Sequence, residues 1–187
     1  MINHIDVSSV LRGTVSELYS NLVTRPTGAA VRGTIEQLLG GMEGRTLTII
    51  DFTHVSLLDF SCADEIIAKL LLRYCEDVPP RDDYFVFRGI SDIHLDAIET
   101  VLERHGLVLV AEERNGSAHL IGSIDESERS AWERLYRLGR AVTPRDIADD
   151  TGLPPEEVTR VLEALARRRL LMRSGELYEA VGRGGTA

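Results

Sequence analysis

Residues 45 to 52 read RTLTIIDF, and between Arg45 and Asp51 the run holds no charged side chain and four β-branched residues. Thr46, Thr48, Ile49 and Ile50 favour extended backbone, and the lack of any polar alternation predicts a strand buried on both faces. Such a strand needs a sheet with cover on each side. DYFVFRGI (83 to 90) and LVLVAEE (107 to 113) carry the same signature, and between these strands the apolar spacing turns helical. The fold class this predicts is α/β, a mixed sheet layered with helices.

The remaining elements follow from local signals. INHIDV (2 to 7) reads as a short strand and ELYSNLV (17 to 23) as a second extended piece. Pro26 opens a helix with Ala30, Val31, Ile35, Leu38 and Leu39 on one face, closed by Gly40 and Gly41. A helix from Ala63 to about Cys75 buries Ile66, Ile67, Leu70, Leu71 and Tyr74, and the turn-rich EDVPPRDD follows it. Residues 91 to 106 form another helix, with Ser91 as cap and Gly106 as stop. SAHLIG (117 to 122) is a strand that Asn115-Gly116 joins to the one before it. An α/β domain is therefore expected over 1–122, an acidic linker over 123–130, a helical domain over 131–182 and a frayed tail over 183–187.

Composition narrows the function. No stretch is long and apolar enough to cross a bilayer, and MINHIDVSSV lacks the basic start and apolar core of a signal peptide, so a cytoplasmic protein without membrane contact is expected. Cys62 and Cys75 have no CxxC spacing and no histidine at ligand spacing, which argues against a disulfide framework and a metal site. Asp51, His54 and Asp59 fit no common face for a metal, GGMEGRT (40 to 46) lacks the lysine of a phosphate loop, and no base accompanies Ser61 or Cys62. No enzyme activity and no cofactor are expected. The net charge of −9 opposes non-specific coating of nucleic acid. The charge is uneven: residues 1 to 130 hold 11 Arg or Lys against 21 Asp or Glu, whereas residues 131 to 187 hold 10 against 9.

In the C-terminal part, Thr143-Pro144 starts a helix, Gly152 permits a sharp turn, Pro154-Pro155 starts a second helix and MRSGELYEAV (172 to 181) suits a hairpin. This succession resembles a winged helix-turn-helix domain, a small α+β unit. The resemblance implies a recognition helix over 155 to 166, with Arg145, Thr159, Arg160 and Arg173 near DNA. Glu156, Glu157 and Glu163 on the outward face oppose phosphates, so the same unit equally suits a protein-binding or dimerising role.

In the N-terminal part, a strand ending in Asp51-Phe52 leads through a short connection to SLLDFSCADE (56 to 65). The arrangement resembles the STAS domain of anti-sigma factor antagonists, in which an Asp-Ser-Ser-Gly motif precedes a helix and its second serine is phosphorylated by a GHKL-type kinase. Ser61 matches that serine and Asp59 the aspartate, while Phe60 and Cys62 depart from the pattern. A closer likeness is to a bacterial STAS-like family marked by a Ser-Phe-Ala-Asp-Glu type helix start, an apolar "DF" strand and an upstream Thr-Arg segment, here SCADE (61 to 65), IIDF (49 to 52) and TRPTGAAVR (24 to 32).

Ser61 followed three residues later by Asp64 reads first as a helix cap and capping box, and Asp59, Asp64 and Glu65 oppose a phosphoryl dianion there. Asp59, Ser61, Cys62 and Asp64 are thus expected to form a partner-binding surface, with phosphorylation of Ser61 as the less favoured alternative. Arg25 and Arg32 flank a Pro-Thr-Gly turn at a helix start, an arrangement able to bind an anionic group, although two surface arginines are the simpler reading. The expected function is that of a non-enzymatic bacterial regulator with a protein partner, of the GHKL ATPase or kinase type the resemblance implies. A DNA-binding transcription regulator with a sensing or dimerising α/β domain, and an adaptor in a larger assembly, are the competing expectations. The oligomeric state is left open.

Overall fold

The computed structural model describes residues 1–14, 21–75, 79 and 81–182. In chain order the first part runs β1 (Ile2–Asp6), α1 (Val7–Thr14), β2 (Asn21–Leu22), α2 (Arg25–Gly40), β3 (Thr46–Asp51), β4 (Leu57–Leu58) and α3 (Phe60–Ala63). A π-wound turn, Asp64–Ala68, carries α3 into α4 (Lys69–Tyr74), followed by β5 (Asp83–Arg88), α5 (Asp92–His105), β6 (Val108–Glu112) and β7 (Ala118–Gly122). The main sheet has the order β1-β3-β5-β6-β7. Its first four strands are parallel, and β7 returns antiparallel to β6. The chain is mixed α/β, as the apolar strand runs predict.

Spatial order rises in step with chain order. Crossovers of one hand then deliver every connecting helix to the same face. Thr46, Thr48 and Ile50 of β3 point to that face, where Ile50, Phe85, Phe87 and Leu109 share a core with Ile35, Ile66, Leu70 and Ile98. The alternate residues Leu47, Tyr84, Val86, Val108, Val110 and Leu120 are also buried, so the other face needs separate cover.

The C-terminal part provides it. Helices α6 (Glu126–Leu138), α7 (Pro144–Thr151) and α8 (Pro155–Arg167) and the hairpin β8 (Leu171–Ser174) and β9 (Leu177–Ala180) follow the sheet. Val142 bridges to Tyr178, adding a third short extended segment beside the hairpin. Trp132, Leu135, Leu162, Leu165 and Leu171 join the second face of the sheet in one continuous core. The Trp132 indole N–H donates to the Leu170 carbonyl at 3.1 Å, so the largest buried side chain is also polar-satisfied.

Two local elements, the linker and a short first helix, differ from the sequence reading. Residues 123–130, expected as a linker, contain the start of α6: the Asp125 carboxylate accepts the Glu128 N–H at 2.8 Å and caps the helix. The acidic composition that suggested a linker is a first turn matched to the helix dipole. Helix α1 was not anticipated; Asp6 accepts the Ser8 N–H at 2.9 Å and the Ser9 hydroxyl at 2.7 Å, so the start lies directly against β1. Of the extended piece expected at 17–23, residues 21 and 22 form β2 and pair with β4, and residues 17–20 lie outside the described residues. The expected tail, 183–187, also lies outside them. Among the described residues no helix is long and apolar enough to cross a membrane.

Candidate functional site

The start of α3 is organised by Asp59. Its Oδ1 accepts the Cys62 N–H at 2.8 Å, both carboxylate oxygens accept the Ser61 hydroxyl at 2.9 and 3.1 Å, and Oδ2 accepts the Thr24 N–H at 3.1 Å. Asp59 is therefore the N-cap. This corrects the expectation of a cap at Ser61: Phe60 already has helical backbone, and Ser61 sits one residue inside the helix as a donor to the cap. The distance along the chain is right for Asp59 because its short carboxylate reaches the N–H three residues on. Burial by itself pushes the Asp59 carboxyl up, but the N–H groups of Cys62 and Thr24 and the Ser61 hydroxyl outweigh it and hold it below the usual value.

Asp64 does not complete a capping box with Ser61. Its carboxylate faces Arg25 at 2.7 Å and His105 Nε2 at 2.9 Å. The neighbouring Glu65 accepts from Arg25 at 2.8 Å and from Arg32 at 3.4 Å, and also from Lys69 one turn on. Asp64 is 6% and Glu65 2% exposed, so both charges depend on these partners. For Asp64, burial raises the carboxyl and hydrogen bonds from Arg25 and His105 more than reverse it; for Glu65, those from Lys69 and Arg25 do the same. Both lie in the π-wound turn, a widening that recurs at functional positions in helices.

The network draws α2 close to α3. A Cβ on Gly28 would lie 2.9 Å from the Cα of Cys62 and 3.0 Å from the Cβ of Glu65, so only glycine permits the approach. Thr24, just before α2, holds φ at +81°, a costly conformation for a β-branched residue, of about 1–3 kcal/mol. Both of its backbone groups are engaged: the N–H by Asp59, and the carbonyl by the Gly28 N–H at 3.2 Å and the Cys62 thiol at 3.0 Å. Burial, then the Asp59 charge, pushes the Cys62 thiol up to about 12, so it remains a protonated donor and a poor nucleophile.

Thus TRPTGAAVR and DFSCADE, 27 residues or more apart at every point, meet in one cluster that brings Asp59, Ser61, Cys62 and Asp64 together with Arg25 and Arg32. The two arginines carry the chain's own carboxylates. Arg32 also pairs with Glu36 at 2.9 Å, and Arg73 pairs with the same glutamate at 2.7 Å. Of the members not anticipated, Glu65 and Lys69 show the readable i,i+4 spacing of an ion pair. His105 comes from the far end of α5 and left no local signal.

The C-terminal candidates are dispersed. Arg145 and Arg160 are exposed and make no hydrogen bond or ion pair among the described residues. The Thr159 hydroxyl donates to the Pro155 carbonyl at 2.8 Å within α8. Arg173 donates to the Gly175 carbonyl at 2.9 Å and lies over the Tyr178 ring at 5.6 Å. Other arginines fasten this part to the rest. Arg168 meets Glu128 at 2.6 Å and the Ser123 carbonyl, and Arg169 meets the Tyr74 carbonyl at 3.0 Å and Asp82 at 2.7 Å. Just before β3, Arg45 reaches the hairpin through the Ser174 hydroxyl and the Arg173 carbonyl, both at 2.7 Å.

Among the described residues no group of three or more His, Cys, Asp or Glu side chains could hold a metal ion. No family model, curated protein or solved structure matches this chain.

Proposed function

We propose that this chain is a non-enzymatic bacterial regulatory protein, in which a STAS-like α/β unit binds a protein partner at the start of α3 and is coupled to a winged helix-turn-helix unit. The observation that carries the reading is the position of the Asp59 carboxylate, which holds the α3 N-terminus, the Ser61 hydroxyl and the backbone of Thr24 together. A change at Ser61 therefore reaches the start of α2 through Asp59. A phosphoryl group there would lose the bond to Asp59 and meet its charge, whereas Asp64 and Glu65 are already neutralised by Arg25, Arg32 and Lys69. Opposition from the last two carboxylates is weaker than their sequence neighbourhood suggests, which makes a phosphorylation switch at Ser61 a reasonable mode of control.

The order α7, Gly152 turn, α8 and hairpin, with Val142 bridged to Tyr178, supports the winged-helix assignment. Protein contact by this unit is supported by Glu156 and Glu157 in the first turn of α8 and by the hold of Arg45 on the hairpin. A DNA-binding regulator is the second reading, supported by Arg145 and Arg160, which stand exposed without internal partners among the described residues.

Affinity capture from native cells with wild type, Ser61→Ala and Ser61→Glu tests the first reading. The expected result is one partner held by wild type and Ser61→Ala and lost by Ser61→Glu, with all three proteins folded at the temperature of capture. Identical captures by all three would overturn the switch. A promoter mobility shift that weakens steeply with salt and disappears in Arg160→Ala would establish the second reading instead.

A further inference from the structure

The sheet and the C-terminal unit leave between them an open cleft of about 620 Å3, within the size range of small-molecule sites. Arg45, Arg167, Arg169 and Arg173 line it against two carboxylates, Asp82 and Glu163. Among the described residues, and on a chain of net charge −9, this is a local excess of positive charge.

The internal pairs do not use it up. Asp82 is held from both sides, by Arg45 Nε at 2.6 Å and by Arg169 Nη1 at 2.7 Å. Glu163 is 4.0 Å from Arg173, with both side chains about half exposed, so that pair is weak. Arg167 makes no hydrogen bond or ion pair among the described residues. Among the described residues, unused donors therefore remain on Arg167 and Arg173, and on the second terminal nitrogen of Arg169. The last carbonyls of α8 do not counter them, because those of Ala164, Leu165 and Ala166 accept the N–H groups of Arg168, Leu170 and Arg169.

Arg169 itself occupies a position suited to glycine. Its φ is +60° at the end of α8, and its guanidinium is fixed 5.1 Å above the Tyr84 ring. A strained residue with a fixed functional group in the lining of a cleft is the pattern of a preorganised site.

We propose that the cleft binds a small phosphate ester, of nucleoside-phosphate size, through Arg167, Arg169 and Arg173. Planar guanidinium groups bind phosphate oxygens in pairs, and Ala166 in the lining gives the organic part of the ligand an apolar contact. The same donors suit the phosphates of a DNA backbone, but a recess walled on one side by the sheet admits a small ester more readily than a duplex. The site is separate from the start of α3 and does not depend on a partner there.

Calorimetric titration of the full chain with pyrophosphate and with adenosine diphosphate tests the proposal. Saturable binding of both is expected, weakened about tenfold or more in Arg167→Gln/Arg173→Gln by loss of charge-assisted hydrogen bonds. Arg145→Gln/Arg160→Gln should bind as wild type does. Absence of saturable binding, or equal binding by the cleft double variant, would overturn the site. A DNA duplex that binds through the cleft arginines when neither small probe does would overturn the small ester in favour of nucleic acid. Should the double variant melt early, Arg167→Gln alone gives the same reading, since its side chain has no internal bond to lose among the described residues.

Discussion

On one face of the sheet, α2 and the α3–α4 helix meet through buried charge, with Asp64 and Glu65 enclosed by Arg25, Arg32, Lys69 and His105. On the other face, the C-terminal helices meet the strands through apolar side chains, and the charged contacts of Arg45, Arg168 and Arg169 run around the rim. The two constructions respond differently to change. A buried network tolerates little displacement, because each unpaired charge is expensive, whereas an apolar contact with a charged rim depends on area and can lose a rim bond at small cost. The tight side holds the motif residues; the adaptable side holds the open cleft.

Trp132→Ala should produce the largest effect, a loss of about 3–5 kcal/mol from a buried aromatic site. If the shared core makes the two parts one folding unit, near- and far-UV circular dichroism will follow a single transition in urea. Two separated transitions would break the comparison by showing that the C-terminal unit folds alone. Gly28→Ala probes the tight side and should cost about 1–3 kcal/mol, since the new methyl meets the backbone of Cys62. A urea midpoint equal to wild type would mean that α2 and α3 can move apart after all.

Acid should distinguish the faces further. Asp59, Asp64 and Glu65 bind protons less readily folded than unfolded. Their contribution is complete above the ordinary carboxylate values, near pH 4, and disappears as the pH falls through the lowered folded values. Urea midpoints should therefore decline as the pH is lowered from about 5 toward 3, and Asp64→Asn should flatten that decline. An unchanged slope would remove Asp64 as a source of it. The smallest expected effect is at the rim: Arg169→Ala keeps the strained φ and loses the side-chain bonds, whereas Arg169→Gly loses the bonds but relieves the strain. Melting should rank alanine below glycine by about 1 kcal/mol, the reverse of the order in a helix interior.

The elements with strong local patterns were legible. RTLTIIDF, DYFVFRGI and the capped helix at 91 to 106 were placed to within a few residues, because a strand buried twice and a helix between Ser91 and Gly106 each announce themselves locally. Less legible were elements whose signal depends on a neighbour. Helix α1 is short and starts from the last residue of β1, and the start of α6 was hidden in acidic sequence that resembles a linker. At the start of α3, the sequence points to a cap at Ser61 where the structure has Asp59. Asp59 and Ser61 can each cap on composition; Asp59 takes the Cys62 N–H three residues on and is held further by the Thr24 N–H, which arrives from 35 residues away. Likewise, Arg25 and Arg32 read as exposed cations until the fold brings Asp64 and Glu65 to them.

The chain has one tryptophan, and Trp132 lies where the C-terminal helices join the sheet, stacked 5.0 Å from Tyr136. That position makes the protein its own optical probe. Any ligand in the cleft or partner at α3 that loosens the C-terminal unit will expose the indole to water and shift its emission to the red, while tightening will leave it blue. Whether the two sites communicate can thus be read from the unlabelled protein in a fluorimeter.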